Sequence, residues 1–397
     1  MSEHPNMIDI DLFAGAGGLA LGLQWAGFAP LQLYENDAHA CETLRHNAES
    51  KTPTLSARVL EEDVKNVEWS SLHQRVRLLA AGAPCQPFSL GGKHRASDDP
   101  RNLFPEVIRA TRELRPAAIL IENVRGLLRE NFRPYFEYVL RQLETPSLRL
   151  GRRGSWRDHD RRIRRHQCSV GYTPEYNVSW RLLNAADYGV PQSRLRIFIV
   201  ATRYDLPPYR FPSPTHSKQS LLQAQANGEY WERYGIRKPK SVNHKHMRGD
   251  KKPHTRPWVT VRDAIADLPS PAAVEEVAMM NHCLIPGARV YPGHSGSPMD
   301  WPAKTVKAGV HGVPGGENVL MEDDKSFRYF TFRELARLQS FPDSYLLKGA
   351  RIHLTRQLGN AVPPGLARAV AERLHELLDG HLKTAFGGRN VAAVARV

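Results

Sequence analysis

The chain has 397 residues, with 55 Lys and Arg against 41 Asp and Glu, a formal net charge of +14. That length suggests roughly two domains, and the basic excess favours polyanionic partners such as nucleic acid. Four cysteines set far apart exclude a disulfide framework or a C-x-x-C zinc pattern, and no metal site is expected. With neither a long apolar run nor a basic-then-apolar leader, no membrane partner and a cytoplasmic protein are expected.

Strand and helix signals alternate through the first two hundred residues. Residues 7–13 (MIDIDLF) alternate like a half-buried strand and then break at glycines. Residues 19–26 read as a helix, and 31–34 as a second strand ending in Glu35. Residues 38–47 are helical again. Short apolar strands follow at 78–81, ending at Gly82, and at 117–121, ending at Glu122. Residues 196–202 (RIFIVAT) are strongly β. This alternation predicts an α/β doubly wound sheet, in which ligands bind beyond the carboxyl ends of the strands. After Tyr204 prolines and a basic polar stretch replace that rhythm, so a smaller, loop-rich domain is expected. Residues 331–338 and the amphipathic run 367–378 are the last predicted helices.

Four segments carry chemistry. In DLFAGAGGLA, a glycine turn between strand and helix lets the backbone approach a nucleoside-like ligand, and Gly15, Gly17 and Ala20 satisfy a G-x-G-x-x-A spacing. Glu35 then closes the second strand where an acid takes ribose hydroxyls. Alone, the turn fits NAD, FAD or S-adenosylmethionine proteins, or a tight packing turn. In GAPCQPFS, Cys85 stands between two prolines just past a strand end, where a rigid loop would hold it over the ligand edge. Glu122, in IENV, ends another strand at the same edge. In VPQSRLRIF, Gln192, Arg194 and Arg196 alternate, so they are expected on one cationic, hydrogen-bonding face.

Taken together, these segments resemble the DNA cytosine-5 methyltransferase family. The matching pieces are DLFAGAGGLALG, the acid in YENDAHA, EEDV, GAPCQPFS, RNLF, ENVRGLL, VPQSRLRIFIVATR, RELARLQSFPDSY and QLGNAVPP, spanning Asp11 to Pro364 in the family's order. The resemblance implies a Rossmann-like S-adenosylmethionine-dependent methyltransferase domain, residues 1–204 plus 354–397, and a smaller loop-rich target-recognition domain, residues 205–353. It implies methyl transfer from S-adenosyl-L-methionine to C5 of a flipped-out cytosine in double-stranded DNA, leaving S-adenosyl-L-homocysteine. Its bacterial members commonly protect host DNA from a companion restriction endonuclease that acts on the same site without a stable complex. A monomer is expected.

Residue by residue, the resemblance makes Cys85 the nucleophile that adds to cytosine C6. Glu122 would hold and protonate N3. Arg194 would hydrogen-bond the cytosine carbonyl and favour the Cys85 thiolate, and Arg196 would brace Glu122. The cofactor pocket would be formed by Phe13, Gly15, Gly17, Gly18, Leu19, Glu35, Asn36, Asp63, Val64, Gly82, Pro84 and Leu103. Asn360 and Ala361 would return against the methionine group. Ser89 and Lys93, in the loop that closes on DNA, are expected DNA contacts, with Gln192 and Thr305. Gly91 departs from members that carry a serine there. Segment 333–343 would brace the recognition region.

The arginine cluster at 149–165 has no family-wide counterpart and is read as an insertion near the DNA path. A transfer RNA cytosine-5 methyltransferase is the nearest rival. Its Cys-Phe-Thr signature is absent, because Leu284 and Ile285 follow Cys283. An NAD-dependent oxidoreductase leaves PCQPFS unexplained, and a catalytically dead homologue would lose the cysteine or the ENV acid.

Overall fold

The computed structural model describes residues 7–50, 54–72, 76–84, 102–151, 154–239, 254–273, 280–288, 295–309 and 318–385. The chain divides into two compact units. One holds residues 1–182, 195–211 and 367–397; the other holds 183–194 and 212–366. The sequence alone put the divisions at 204/205 and 353/354.

The first unit is built on a seven-stranded sheet. Its strands are β1 (Ile8–Leu12), β2 (Ala29–Glu35), β3 (Arg58–Glu61), β4 (Leu78–Ala81), β5 (Ala118–Val124), β6 (Tyr176–Asn184) and β7 (Leu195–Arg203), in the order β3-β2-β1-β4-β5-β7-β6. β1 to β5 run parallel, and β7 pairs antiparallel with β5. Strand order reverses between β1 and β4, which is where a doubly wound sheet opens its ligand crevice. The crossover helices are α1 (Gly18–Trp25), α2 (Ala38–Ala48), α3 (Phe104–Leu114), α4 (Arg133–Glu144) and α5 (Trp156–Gln167).

The continuous apolar runs of β4 and β5 suit strands covered on both faces; Leu78, Leu79, Ile119, Leu120 and Ile121 have no exposed surface. β1 alternates as read, with Ile10 and Leu12 in the main core. It is not half-buried, however, because Asp9 and Asp11 on its other face are fully buried too. The reason is its place between β2 and β4, over which α1 packs.

The second unit contains short elements: β8 (His216–Ser217), α6 (Lys218–Asn227), α7 (Glu229–Arg233), β9 (Arg256–Pro257), α8 (Val261–Ile265), β10 (Ser297–Pro298), β11 (Val319–Met321), β12 (Phe327–Tyr329), α9 (Phe332–Leu338) and α10 (Arg351–Asn360). α11 (Pro364–Ala385) begins there and continues in the first unit. A small core of Leu221, Ala224, Tyr230 and Trp231, with Trp258 and Trp301 against it, anchors α6 and α7. Capping boxes start α8 (Thr260 with Asp263) and α9 (Thr331 with Glu334). Charge replaces core elsewhere: the Arg262 guanidinium lies 2.6 Å from Asp300 and 2.5 Å from Asp323.

Candidate active site

The carboxyl ends of β1 to β5, with the start of α3 and β7, supply the described site residues of the first unit. The turn after β1 is built from left-handed backbone. Phe13 has φ 60°, Gly15 φ 53° and Gly17 φ 78°; a side chain at Phe13 makes that position strained, whereas glycine adopts it freely. The Gly17 N–H donates to the Ala14 carbonyl at 2.8 Å and closes the turn. Gly17 is the N-cap of α1 and offers no side-chain cap, so the first N–H groups of the helix, from Gly18 and Leu19 onward, carry its positive end.

Glu35 fixes this turn to β2. One carboxylate oxygen accepts from the Gly15 N–H at 2.8 Å, and the other from Asn36 and Asp37 at 2.9 and 2.8 Å. A carboxylate has about four lone-pair sites, so acceptor capacity is left for a ligand hydroxyl. Asp37 also caps α2. The sequence reading passed over it, although an Asp just before a helical run is an N-cap signal.

Gly82 closes the β4 side: its N–H donates to the Leu12 carbonyl at 3.2 Å. A Cβ at this position would stand 3.4 Å from the Phe13 carbonyl oxygen, in van der Waals contact with the turn. Pro84, two residues on, is partly exposed. Asp63 caps a short 3-10 turn by accepting from the Lys65 N–H, and Val64 in that turn is buried. Arg109, which the sequence reading did not single out, stitches this segment to α3. Its guanidinium donates to the carbonyls of Val64 at 2.7 Å and Val67 at 2.9 Å. Leu103 is the N-cap residue of α3.

This donor set fits S-adenosyl-L-methionine: a glycine cradle, an uncapped helix start and a strand-end carboxylate. Asp9 and Asp11, on β1, have fully buried carboxyl groups that make no close side-chain hydrogen bond among the described residues. Burial, and then the charge of Glu35, pushes the Asp11 carboxyl up to about 8. Burial, and then Asp11, holds Asp9 well above the usual carboxylate range.

At the end of β5, Glu122 is 7% exposed. Its Oε1 lies 3.0 Å from Arg196 Nε on β7, because the antiparallel register sets Val124 opposite Arg196. The neighbouring Asn123 side chain donates to the Ala83 carbonyl at 3.1 Å. The β5 end is thereby tied to the segment leading into Cys85. Cys85, Ser89, Gly91 and Lys93 lie outside the described residues. Among the other thiols, Cys41 is buried; burial, with Glu35 and Glu61 nearby, pushes it up to about 12, so it stays protonated.

Gln192 and Arg194 do not share a strand face with Arg196, contrary to the alternation read from sequence. β7 begins only at Leu195, and both residues belong to the second unit. Arg194 is fully buried. Its Nη1 donates to the Val306 carbonyl at 2.9 Å, and Nη2 to the carbonyls of Gly359 at 2.7 Å and Ala361 at 3.0 Å. These are different partners from the cytosine carbonyl expected for it: the guanidinium holds the backbone on both sides of Asn360. Gln192 is also fully buried; it donates to the Leu338 carbonyl and the Gln339 side chain and accepts from the Val306 N–H at 3.0 Å. Thr305 Oγ1 donates to the Ser193 carbonyl at 2.8 Å. Among the described residues no His, Cys, Asp and Glu group could hold a metal, and no helix is long and apolar enough to cross a membrane.

Comparison with known proteins agrees with this geometry. The family model described as C-5 cytosine-specific DNA methylase matches residues 7–146 and 169–376. The type II methyltransferase M.PspPI of Psychrobacter sp. (strain TA137) is 32% identical over 381 residues, 95% of this chain and 81% of that protein. M.Eco47II of Escherichia coli is 34% identical over 374 residues, 93% of this chain and 79% of that protein. The fold is shared with a solved DNMT2 variant of Spodoptera frugiperda, at TM-score 0.57 and 18% identity over 94% of this chain and all of that one. It is shared also with the Entamoeba histolytica methyltransferase EhMeth, at TM-score 0.58 and 16% identity over 96% of this chain and all of that one. Enzymes of this kind use S-adenosyl-L-methionine as methyl donor. With the matched segments covering most of its length, the chain belongs to the C-5 cytosine-specific DNA methylase family, as an enzyme of the restriction-modification type with a Rossmann-like methyltransferase fold.

Proposed function

We propose that this enzyme methylates C5 of one cytosine in a specific double-stranded DNA sequence, through a transient bond from Cys85 to C6. The observation that carries the reading is the buried Glu122–Arg196 pair, with Asn123 tying the same strand end to Ala83. Cys85 follows Ala83 by two residues in the sequence, and the reading assigns the nucleophile and the acid to one strand edge.

S-adenosyl-L-methionine would supply an electrophilic methyl group when bound, and in the first unit the Gly15–Gly17 turn, the start of α1, Glu35 and the Asp63–Val64 segment would hold it; Asn360 and Ala361 are proposed as further contacts. The chain's own residues prepare the base. Cytosine C5 is a poor nucleophile while the ring is aromatic. When Cys85 Sγ bonds to C6, the C5–C6 π electrons shift through the ring, and Glu122 gives N3 a proton, so no full anion forms. C5 becomes enamine-like and accepts the methyl group. Loss of the C5 proton to solvent restores the double bond, breaks the Sγ–C6 bond and returns the N3 proton to Glu122. Arg196 keeps Glu122 in place, and Arg194 holds the segment around Asn360.

Inside a stacked duplex the base is out of reach, so it must be flipped into the site, with Ser89 and Lys93 closing over it. We assign reading of the DNA sequence to residues 205–353, with Thr305 among the contacts. Protection of host DNA against a companion endonuclease is the biological role this implies. The transfer RNA alternative is not favoured, since the relatives are type II methyltransferases. The test is bisulfite sequencing of DNA from a methylation-free bacterial host expressing the chain or its Cys85→Ser variant. Protected cytosines in one short recurring context, lost with the variant, are expected. Soluble protein that protects no cytosine would overturn the reading.

A further inference from the structure

The family model passes over residues 147–168, the stretch that contains α5. This helix carries five arginines against two aspartates. Its inner face is packed. Ile163 belongs to the main core, Trp156 meets Tyr135 edge-on at 5.4 Å, and His159 is held between the Tyr138 hydroxyl at 2.9 Å and the Leu148 carbonyl at 2.8 Å. Asp160 accepts from Arg141 at 2.8 Å. At about 100° per residue, Trp156, His159, Asp160 and Ile163 occupy one arc, and all five arginines occupy the opposite one.

Those arginines are exposed and unequally engaged. Arg161 pairs with Asp158, and Arg164 with Asp160. Among the described residues Arg157, Arg162 and Arg165 form no ion pair. Arg157 lies flat over the Trp156 ring at 4.6 Å, and Arg162 only reaches the Arg149 carbonyl at 3.4 Å. Beside them is an open groove of about 610 Å³, lined by Pro134, Trp156, Arg157, Arg161 and Arg164 and by the two aspartates. Pro134 is in the first turn of α4, which follows the Glu122 end of β5 through the 3-10 turn Arg125–Leu128.

We propose that the outer face of α5 is a second DNA-contact surface, which takes the phosphate backbone of the duplex flanking the target sequence. A helix of this length spans about 18 Å, or roughly five base pairs. Charge complementarity selects the occupant: three guanidinium groups without carboxylate partners among the described residues, on a segment the family model does not match. This inference rests on the DNA reading above, and its test separates the two.

The full-length enzyme, the Arg157→Ala/Arg162→Ala/Arg165→Ala variant and the matching triple Lys variant are titrated with a 60-base-pair duplex of arbitrary sequence at several salt concentrations. Because none of the three arginines has an acidic partner among the described residues, the alanine variant orphans no carboxylate there. It is expected to melt with the wild type and to methylate saturating plasmid DNA at the same rate. Its slope of log affinity against log salt should be shallower by about 2–3, at roughly 0.9 per phosphate contact, with at least about tenfold weaker binding at low salt. The Lys variant should restore most of both, since a backbone contact needs charge more than a fork. Equal slopes and affinities for the wild type and the alanine variant would overturn the proposal. Failure of the wild type to methylate plasmid DNA would count against the catalytic reading alone, because the binding slopes would still decide the role of α5.

Discussion

Gly359→Ala should unfold the second unit far more easily than an ordinary glycine-to-alanine change. Gly359 lies in α10, with its backbone against the segment carrying Lys307 and Ala308. An added Cβ would stand well under 3.0 Å from the backbone N and Cα of Ala308 and the carbonyl carbon of Lys307. Backbone cannot rotate aside, so the two segments must part. Parting pulls on Arg194, whose guanidinium holds Val306 on one segment and Gly359 and Ala361 on the other. Overpacking costs about 1–3 kcal/mol, and two lost charge-assisted hydrogen bonds add about 1.5–3 kcal/mol each. The destabilisation is therefore about 4 kcal/mol at its lower end, in the range reserved for named severe defects. Urea denaturation measures it, and amide exchange along 303–309 and 354–362 locates it. Gly380→Ala is the control. It is exposed in α11 with nothing within 4 Å of the new methyl group, and alanine there should stabilise by up to about 1 kcal/mol. A Gly359→Ala protein within about 1 kcal/mol of the wild type would refute the close approach and the bracing role of Arg194.

Glu122→Gln keeps a hydrogen-bonding neighbour for Arg196 but removes the transferable proton, so kcat should fall by about 10²–10⁴ while DNA affinity is kept. Activity within a few-fold of the wild type would remove Glu122 from the proton-transfer role. Asp11 gives a pH prediction. Its folded-state value, about 8, lies above its ordinary 3.8, so the folded protein holds this proton more tightly. The stability linked to it is full below about pH 4 and is lost as pH rises toward 8. Asp11→Asn should therefore melt close to the wild type at acidic pH and above it at pH 8, and parallel melting profiles across that window would contradict the assignment.

Much of the site was legible in the sequence because strand ends, glycine turns and caps are local signals. The turn after β1 and the acid ending β2 were both found from residue type and spacing. Thr331 and Glu334, three apart before an apolar run, mark the start of α9, although Thr331 itself is the cap and not a helical residue. Two strands of the seven-stranded sheet were missed. β3 has four residues with charged ends, and β6 mixes polar and apolar positions; both lie at sheet edges, where the demand for burial is weakest.

Tertiary structure decided which partners meet. Glu122 and Arg196 are 74 residues apart, and their pairing depends on β7 running antiparallel to β5, which no period in either segment specifies. The alternation of Gln192, Arg194 and Arg196 suggested one shared face, but the strand starts after Arg194, and packing sends that side chain into the second unit. Likewise the sequence could count the arginines of α5, yet only the fold shows which of them acidic neighbours neutralise. Periodicity and turn chemistry act over a few residues and are written in the chain. Pairing across a sheet, or between distant segments, is fixed only when burial brings their backbones together.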